Sequence, residues 1–184
     1  MKDLYDAAAA VTIPLVRGVT DDQLDAPTPC RDYAVRDLVN HLYGVMVEFQ
    51  KSARGEPMDF ASETDHLEGD WREGFAAETR KVIDAWCRPG TTDGVEETFG
   101  MPRAVIGRMP LFDLTVHGWD LARSTGQEFR PDAGVVDDVY ALARQLAPQG
   151  QQMGMFAESV AVSDDAPTVD RLIGLLGRDP NWKP

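Results

Sequence analysis

The amino-acid sequence predicts a mainly all-α protein: a bundle of four or more long helices, with extra short helices and an optional short strand pair. Apolar residues recur every three or four positions over most of the chain, which is the spacing of one helix face. Patterns typical of strands are confined to two short segments. The length of 184 residues suits a single core, and no linker or repeat divides the chain, so we predict one domain over residues 1–184.

The first predicted helix has an apolar face whose members are spaced four, three, four and four residues apart: Leu4, Ala8, Val11, Leu15 and Val19. Pro14 lies inside this pattern and predicts a kink or a division into two pieces, because proline lacks the N–H that the helix needs. Residues 21–32 contain Pro27 and Pro29, which favour a short turn followed by an extended loop.

Two more helices are predicted in the first half of the chain. One covers about residues 34–53, with Asp32 as the candidate N-cap. The other covers about residues 68–87, and the sequence Arg88-Pro89-Gly90 ends it. A polar loop that opens at Gly55 joins the two helices.

Three helices are predicted in the second half, over about residues 103–124, 133–146 and 168–176. Gly126 ends the first of them and Gly177 ends the last. Residues 91–103 are ambiguous, with a short strand over residues 95–99 as one interpretation. The apolar and irregular segment 155–162 is the second candidate strand.

The charge of the chain limits its partners. It has 18 Lys and Arg against 31 Asp and Glu, a formal net charge of −13. Such a chain repels phosphate, so we expect neither nucleic acid nor an anionic membrane as a partner. The apolar stretch 7–16 follows Asp3 and Asp6, which is unlike a secretion signal. We expect a cytoplasmic protein, with Cys30 and Cys87 as reduced thiols.

Residues that carry chemistry concentrate in the helix predicted over residues 103–124. Asp113 and His117 are four residues apart and share one helix face, and Asp120 falls on the same narrow stripe. The rest of this helix is apolar, and buried ionisable groups are costly unless they are paired or ligated. The spacing leaves two interpretations, a metal site or an Asp–His pair on the surface.

His41 adds a third candidate ligand from another helix. A lone histidine on an apolar face is ordinarily a hydrogen-bonded core residue, but here Asp113 and His117 face it from a second helix. Two imidazoles and one carboxylate form the ligand set of an open catalytic Zn²⁺ site, and the same set serves Ni²⁺ or Fe²⁺. We therefore predict a divalent metal, Zn²⁺ first, at His41, Asp113 and His117. Asp120 is the candidate hydrogen-bond partner behind an imidazole, with surface pairing and direct ligation as alternatives.

Four other positions around this site each have two interpretations. Gly44 lacks a side chain one turn beyond His41, which gives room to a substrate or else to a packed helix. Cys30 precedes a helix whose dipole would lower the pKa of the thiol, with a packed cysteine as the alternative. His66 lies in a polar loop, where we expect solvent exposure or a place in a mobile lid. Arg178 attracts an anionic substrate or pairs with the abundant acids.

Three segments carry a resemblance to a known family. Residues 25–42 read DAPTPCRDYAVRDLVNHL, residues 116–126 read VHGWDLARSTG, and residues 177–182 read GRDPNW. In this order they resemble the DinB-like, mycothiol-dependent maleylpyruvate isomerase N-terminal-like metal-binding proteins over nearly the whole chain. The most specific part is the segment from His117 to Arg123.

This resemblance implies a DinB-type four-helix bundle with a divalent metal between its helices, and it assigns the family's first and last histidines to His41 and His117. The ligand four residues before the last histidine is usually Glu or His in such proteins, and here it is Asp113, one methylene shorter than Glu. The isomerase relatives carry a second, C-terminal domain that we expect this chain to lack, so their specific reaction is not transferred.

The functional expectation is a divalent-metal-binding protein that takes a small-molecule thiol or electrophile as its partner. As an enzyme it would transfer a thiol of the mycothiol type to a small electrophile, or isomerise that electrophile with the help of the thiol. The alternatives are a non-catalytic metal- or ligand-binding protein and an interaction module that forms a homodimer.

Overall fold

The computed structural model describes residues 1–60, 64–97 and 100–184, and it confirms the predicted fold class. A 3₁₀ turn lies at Asp21–Gln23, and two short strands, β1 (Val95–Glu96) and β2 (Met101–Pro102), form an antiparallel pair. The described helices are α1 (Lys2–Arg17), α2 (Val35–Ala53), α3 (Trp71–Trp86), α4 (Arg103–Ile106), α5 (Met109–Thr125), α6 (Ala133–Gln152) and α7 (Thr168–Leu175). Within the described ranges, none of the helices has the length and apolar content that crossing a bilayer requires.

Helices α1, α2, α3 and α5 form the bundle. Helix α2 packs against α3 and α5, and α1 packs against the same two helices, so the four enclose one core. Each contributes a side chain that is 0% exposed: Tyr5, Leu38, Phe75 and Leu114. Helix α6 packs against α7, and it also contacts α1 and α5.

Two details of the helix predictions are wrong. Helix α1 is not divided at Pro14, because the proline lies in the last turn and removes only one backbone hydrogen bond before the helix ends at Arg17, while the kink at Pro14 stays a prediction. Asp32 is not the N-cap of α2, since its φ is 70° and the helix begins at Val35. Instead, Asp37 Oδ2 accepts a hydrogen bond of 2.9 Å from the backbone N–H of Ala34. This bond gives a partner to one of the backbone N–H groups at the start of α2.

The helix predicted over residues 103–124 is divided into α4 and α5. Pro110 stands in the first turn of α5, where its missing N–H costs nothing, whereas one long helix would place it in the interior. The break is held in place by two contacts. Tyr5 Oη donates a hydrogen bond of 2.6 Å to the carbonyl of Gly107, and the Trp86 ring fills the space beside the Gly107 Cα.

The two candidate strands have different outcomes. Strand β1 lies within the predicted range 95–99, of which residues 98–99 fall outside the described residues. Segment 155–162 forms no strand, although Val160 donates a backbone hydrogen bond of 2.8 Å to Gly174 in α7. This segment therefore packs along α7 without regular secondary structure.

Gly107→Ala is expected to destabilise the fold. A Cβ at this position would lie 2.6 Å from Trp86 Cε3, so the indole would have to move within a packed core. We expect a loss of about 1–3 kcal/mol in the free energy of unfolding, measured by denaturant titration. The control is Gly44→Ala, whose Cβ would meet the His66 ring at an ordinary 3.6 Å and which we expect to be neutral or stabilising by up to about 1 kcal/mol. Equal stability of the two variants would contradict this account of the helix break.

Candidate metal centre

Helices α2 and α5 bring His41, Asp113 and His117 to one point. Asp113 Oδ1 lies 3.6 Å from His117 Nε2 and 3.8 Å from His41 Nε2. The imidazole centroids are 5.0 Å apart, with the ring planes at 83° to each other. One donor atom from each of the three residues lies within 4.8 Å of the others. The described side chains therefore include a donor set that is compatible with a divalent metal ion.

The spacing of these donors fits a small cation. Zinc bonds to imidazole nitrogen and carboxylate oxygen are about 2.1 Å long, so neighbouring donors of a tetrahedral site are about 3.4 Å apart. The Asp113 oxygen lies within a few tenths of an ångström of that separation from both imidazole nitrogens. Aspartate is therefore long enough at this position, although the resemblance leads one to expect Glu or His.

The three candidate ligands differ in burial. His117 is 8% exposed and lies deep in the bundle, where nearly all of α5 is buried. The Asp113 side chain is 17% exposed and the His41 side chain is 32% exposed. The group therefore opens towards solvent on the side of His41.

Asp120 determines which nitrogen of His117 carries the proton. Its Oδ2 lies 2.9 Å from His117 Nδ1, and Asp120 is 0% exposed. Burial alone would raise the pKa of Asp120, but the charge of Arg178 and the bond to His117 outweigh it and hold this pKa below its usual value. An ionised carboxylate only accepts hydrogen bonds, so Nδ1 carries the hydrogen and Nε2 presents its lone pair to Asp113 and His41.

Burial also lowers the pKa of His117, and this effect exceeds the opposing influence of Asp120. The ring is therefore neutral near pH 7. A neutral imidazole with a fixed tautomer is the form that binds a metal.

Arg178 completes this network. The sequence alone leaves two partners open for it, an anionic substrate or an acidic side chain. The structure shows the second alternative. Arg178 Nε and Nη2 donate to both oxygens of Asp120 at 2.8–3.2 Å, and Nη1 donates to the carbonyl of Leu176 at 3.2 Å. Fifty-eight residues separate Arg178 from Asp120, so no helical spacing connects them in the sequence. The signal that could have found Arg178 was the resemblance of residues 177–182.

A cavity of about 470 Å³ opens beside His41. Tyr33, Gly44, Lys51 and His66 are among the residues that line it. His66 is half-buried rather than exposed, because its ring stacks on Tyr43 with 4.7 Å between centroids. Its Nε2 would lie 3.6 Å from a Cβ at Gly44, so Gly44 gives room to this imidazole as well as to the cavity. Burial lowers the pKa of His66.

Cys30 lies close to His117 and Asp120. Its sulfur belongs to a second group of close donors, with His117 and Asp120, within 4.8 Å of one another. Burial raises the pKa of Cys30 to about 11, although the Arg178 charge opposes this. Of the two interpretations of Cys30, the lowering of its pKa by a helix dipole is wrong, because α2 begins only at Val35, whereas the packed cysteine agrees with its place against the core. Cys30 is absent from the described lining of the cavity, so it is not part of that pocket wall.

Comparison with known proteins identifies the family. Residues 5–122 match the family model of the mycothiol maleylpyruvate isomerase N-terminal domain. The chain belongs to this family. The matched range of this mycothiol maleylpyruvate isomerase N-terminal domain contains His41, Asp113, His117 and Asp120, and it ends before Arg178.

Two similar proteins come from Mycobacterium tuberculosis. They are "Uncharacterized protein MT0763" of strain CDC 1551 / Oshkosh and "Uncharacterized protein Rv0738" of strain ATCC 25618 / H37Rv. Each is 31% identical to this member of the mycothiol maleylpyruvate isomerase N-terminal domain family over 183 residues, which cover 94% of this chain and 92% of the relative. No solved structure matches the chain.

Cys30 is expected to react slowly with alkylating agents. With a pKa of about 11, it is almost entirely protonated at pH 8, and the thiolate accumulates only as the pH rises towards that value. We expect iodoacetamide to modify Cys30 about 100-fold more slowly at pH 8 than it modifies a free cysteine. Peptide mapping of metal-free Cys87→Ser protein measures this rate, and the same protein in urea is the control. A native rate equal to the rate in urea would show an accessible, ionised thiol instead.

Proposed function

We propose that this chain binds one divalent metal ion, Zn²⁺, through His41, Asp113 and His117, with an open position on the side of the cavity. The observation that carries the proposal is the convergence of two imidazole nitrogens and one carboxylate oxygen from α2 and α5 at separations that suit a small cation. The fixed tautomer of His117 adds support, because its Nε2 presents a lone pair to this point.

Zinc is favoured over magnesium and calcium by the donor set. Two imidazoles and a single carboxylate are the ligands of open zinc sites, where a fourth position stays available. Magnesium and calcium prefer sets made of oxygen donors, which this group does not provide. Nickel and iron share the same ligands, so metal analysis decides between them and zinc.

The cavity supports a small-molecule partner. Its volume of about 470 Å³ falls in the range of ligand pockets, and His41 belongs both to its wall and to the donor set. Lys51 and His66 supply polar groups on the same wall. A substrate held there would lie against the exposed edge of the candidate metal centre.

The reaction class that we propose is the transfer of a small thiol to an electrophile, or a thiol-assisted isomerisation. The matched family is named for a mycothiol-dependent isomerase, which suggests a thiol of that type. A bound divalent ion would supply Lewis acidity and lower the pKa of a thiol at the open position. We expect the thiol to come from solution, because burial raises the pKa of Cys30 to about 11 and Cys30 is absent from the described lining of the cavity.

A second candidate function is metal or ligand binding without turnover. The aspartate at position 113 favours it, since proteins of the kind that the sequence resembles usually have Glu or His as this ligand. The expected homodimer and the expected cytoplasmic location stay predictions.

Metal binding is expected to depend on His41 and His117 and not on the third histidine. Untagged wild-type protein should hold about one zinc ion, and His41→Ala or His117→Ala should weaken zinc binding by about 100-fold or more, because each removes one of three donors. His66→Ala is the matched control, since it removes a histidine from the cavity wall but none from the donor group. Mass spectrometric metal analysis and competition with a chromophoric chelator measure stoichiometry and affinity.

Two results would contradict the proposed metal site. Metal-free wild-type protein that does not take up zinc would overturn the proposed site. An equal loss of affinity in His66→Ala and His117→Ala would place the metal elsewhere in the cavity.

Turnover is expected to depend on both the metal and the cavity. A thiol such as mycothiol should add to a small electrophile faster with the zinc-loaded protein than without it. The disappearance of free thiol measures this rate. Gly44→Leu should keep zinc but lose most of this rate, because its side chain enters the cavity beside His66. His117→Ala should lose both zinc and rate. Bound zinc with no turnover across a panel of thiols and electrophiles would favour the non-catalytic alternative.

A further inference from the structure

The buried ion pair between Asp120 and Arg178 lies directly behind the candidate metal centre. Asp120 is 0% exposed and Arg178 is 8% exposed. Arg178 Nε lies 2.9 Å from Oδ1 and 3.2 Å from Oδ2, and Nη2 lies 2.8 Å from Oδ2. These hydrogen bonds from two guanidinium nitrogens to both carboxylate oxygens form a fork. A fork fixes the plane of the carboxylate, whereas a single hydrogen bond would let the carboxylate rotate.

The same carboxylate oxygen contacts the metal-facing histidine. Oδ2 accepts from Arg178 and lies 2.9 Å from His117 Nδ1. Because Arg178 fixes the carboxylate, the acceptor for Nδ1–H stays in place and the ring keeps Nε2 towards Asp113. We propose that Arg178 is a positioning residue, which sets the tautomer and orientation of His117 through Asp120 and thereby controls the metal affinity of the site. This inference rests on the proposed function for the identity of the bound ion.

The fold delivers Arg178 to this place by a turn that requires glycine. Gly177 follows α7 with a φ of +80°, and a Cβ there would lie 2.6 Å from the Ala157 Cβ. The backbone N–H of Arg178 then donates to Ile173 at 3.1 Å. Further along, Arg123 of α5 donates to the carbonyl of Pro180. The C-terminal segment, residues 177–182, is therefore tied to α5 at two points, Asp120 and Arg123.

Binding of an anionic substrate is a weaker explanation of Arg178. Its side chain is 9% exposed, and its donors are used by Asp120 and Leu176. It is also absent from the described lining of the cavity. A role in stability alone is the remaining alternative, and the experiment must separate that role from positioning.

The test compares Arg178 with Arg123 in the full chain. Arg178→Gln removes the fork and the charge, whereas Arg178→Lys keeps the charge without the fork. Arg123→Gln is the matched control, because it cuts the other tie between α5 and the C-terminal segment without touching Asp120.

Two readouts are used. In metal-free protein, ¹⁵N NMR of the His117 ring should show one tautomer, with hydrogen on Nδ1, in wild type and in Arg123→Gln, and a mixture in Arg178→Gln. Zinc affinity should fall about 10–100-fold in Arg178→Gln and less in Arg178→Lys, while Arg123→Gln stays within about threefold of wild type.

Removal of Arg178 leaves the buried carboxylate of Asp120 without its cationic partner, so Arg178→Gln is checked for folding by circular dichroism. The double variant Arg178→Met/Asp120→Asn, which buries no charge at the pair, covers the case in which the single variant does not fold. We expect it to bind zinc as weakly as Asp120→Asn alone, because Arg178 acts only through Asp120.

The inference is overturned by an unchanged tautomer and unchanged zinc affinity in folded Arg178→Gln. It is also overturned by a double variant much weaker than Asp120→Asn. Failure of wild type to bind zinc would overturn the proposed function instead, while the tautomer measurement in metal-free protein would still test the role of Arg178.

Discussion

The carboxylate of Asp120, with no exposure to solvent, is the point on which the arrangement of the site depends. A charge in this position needs partners that water would otherwise supply, and it finds them in Arg178 and His117. Each bond has a separate consequence. The bond to Arg178 joins α5 to the segment after α7, and the bond to His117 fixes the direction of an imidazole. One buried group therefore links the packing of the C-terminal segment to the chemistry of the bundle interior.

The register of α5 is the second constraint, and it is set by contacts outside the site. The helix starts again at Met109 because Tyr5 and Trp86 hold the backbone at Gly107. On its other side, α5 approaches α1 closely at Gly118, where a Cβ would lie 2.9 Å from Thr12 Oγ1. With both of these contacts in place, Asp113 and His117 of α5 lie against His41 of α2. The candidate ligands thus meet because apolar and small residues position the helix that carries two of them.

Sequence reasoning succeeded where the information is local and failed where it is tertiary. The long helices followed from apolar spacing, and the stripe of Asp113 and His117 followed from helix geometry. The division of α5 from α4 was missed, although Pro110 indicates it. Arg178 could not be assigned to Asp120, because its approach depends on how α6 and α7 pack. The sequence left Cys30 open between a thiol of lowered pKa and a packed cysteine, and burial raises this pKa, which the position before a helix does not reveal.

The two histidines of the proposed site have different surroundings, and this difference decides where a ligand enters. His117 Nδ1 lies against Asp120, which Arg178 holds from its other side, and the Cys30 sulfur is close to both His117 and Asp120. His41 stands at the wall of the cavity, with its side chain 32% exposed. Among the described residues, the donor set is therefore most exposed on the side of His41, which also borders the cavity. In the proposed centre, His117 is the rigid ligand and His41 borders the open position, so changes in the cavity wall alter access while changes behind His117 alter affinity.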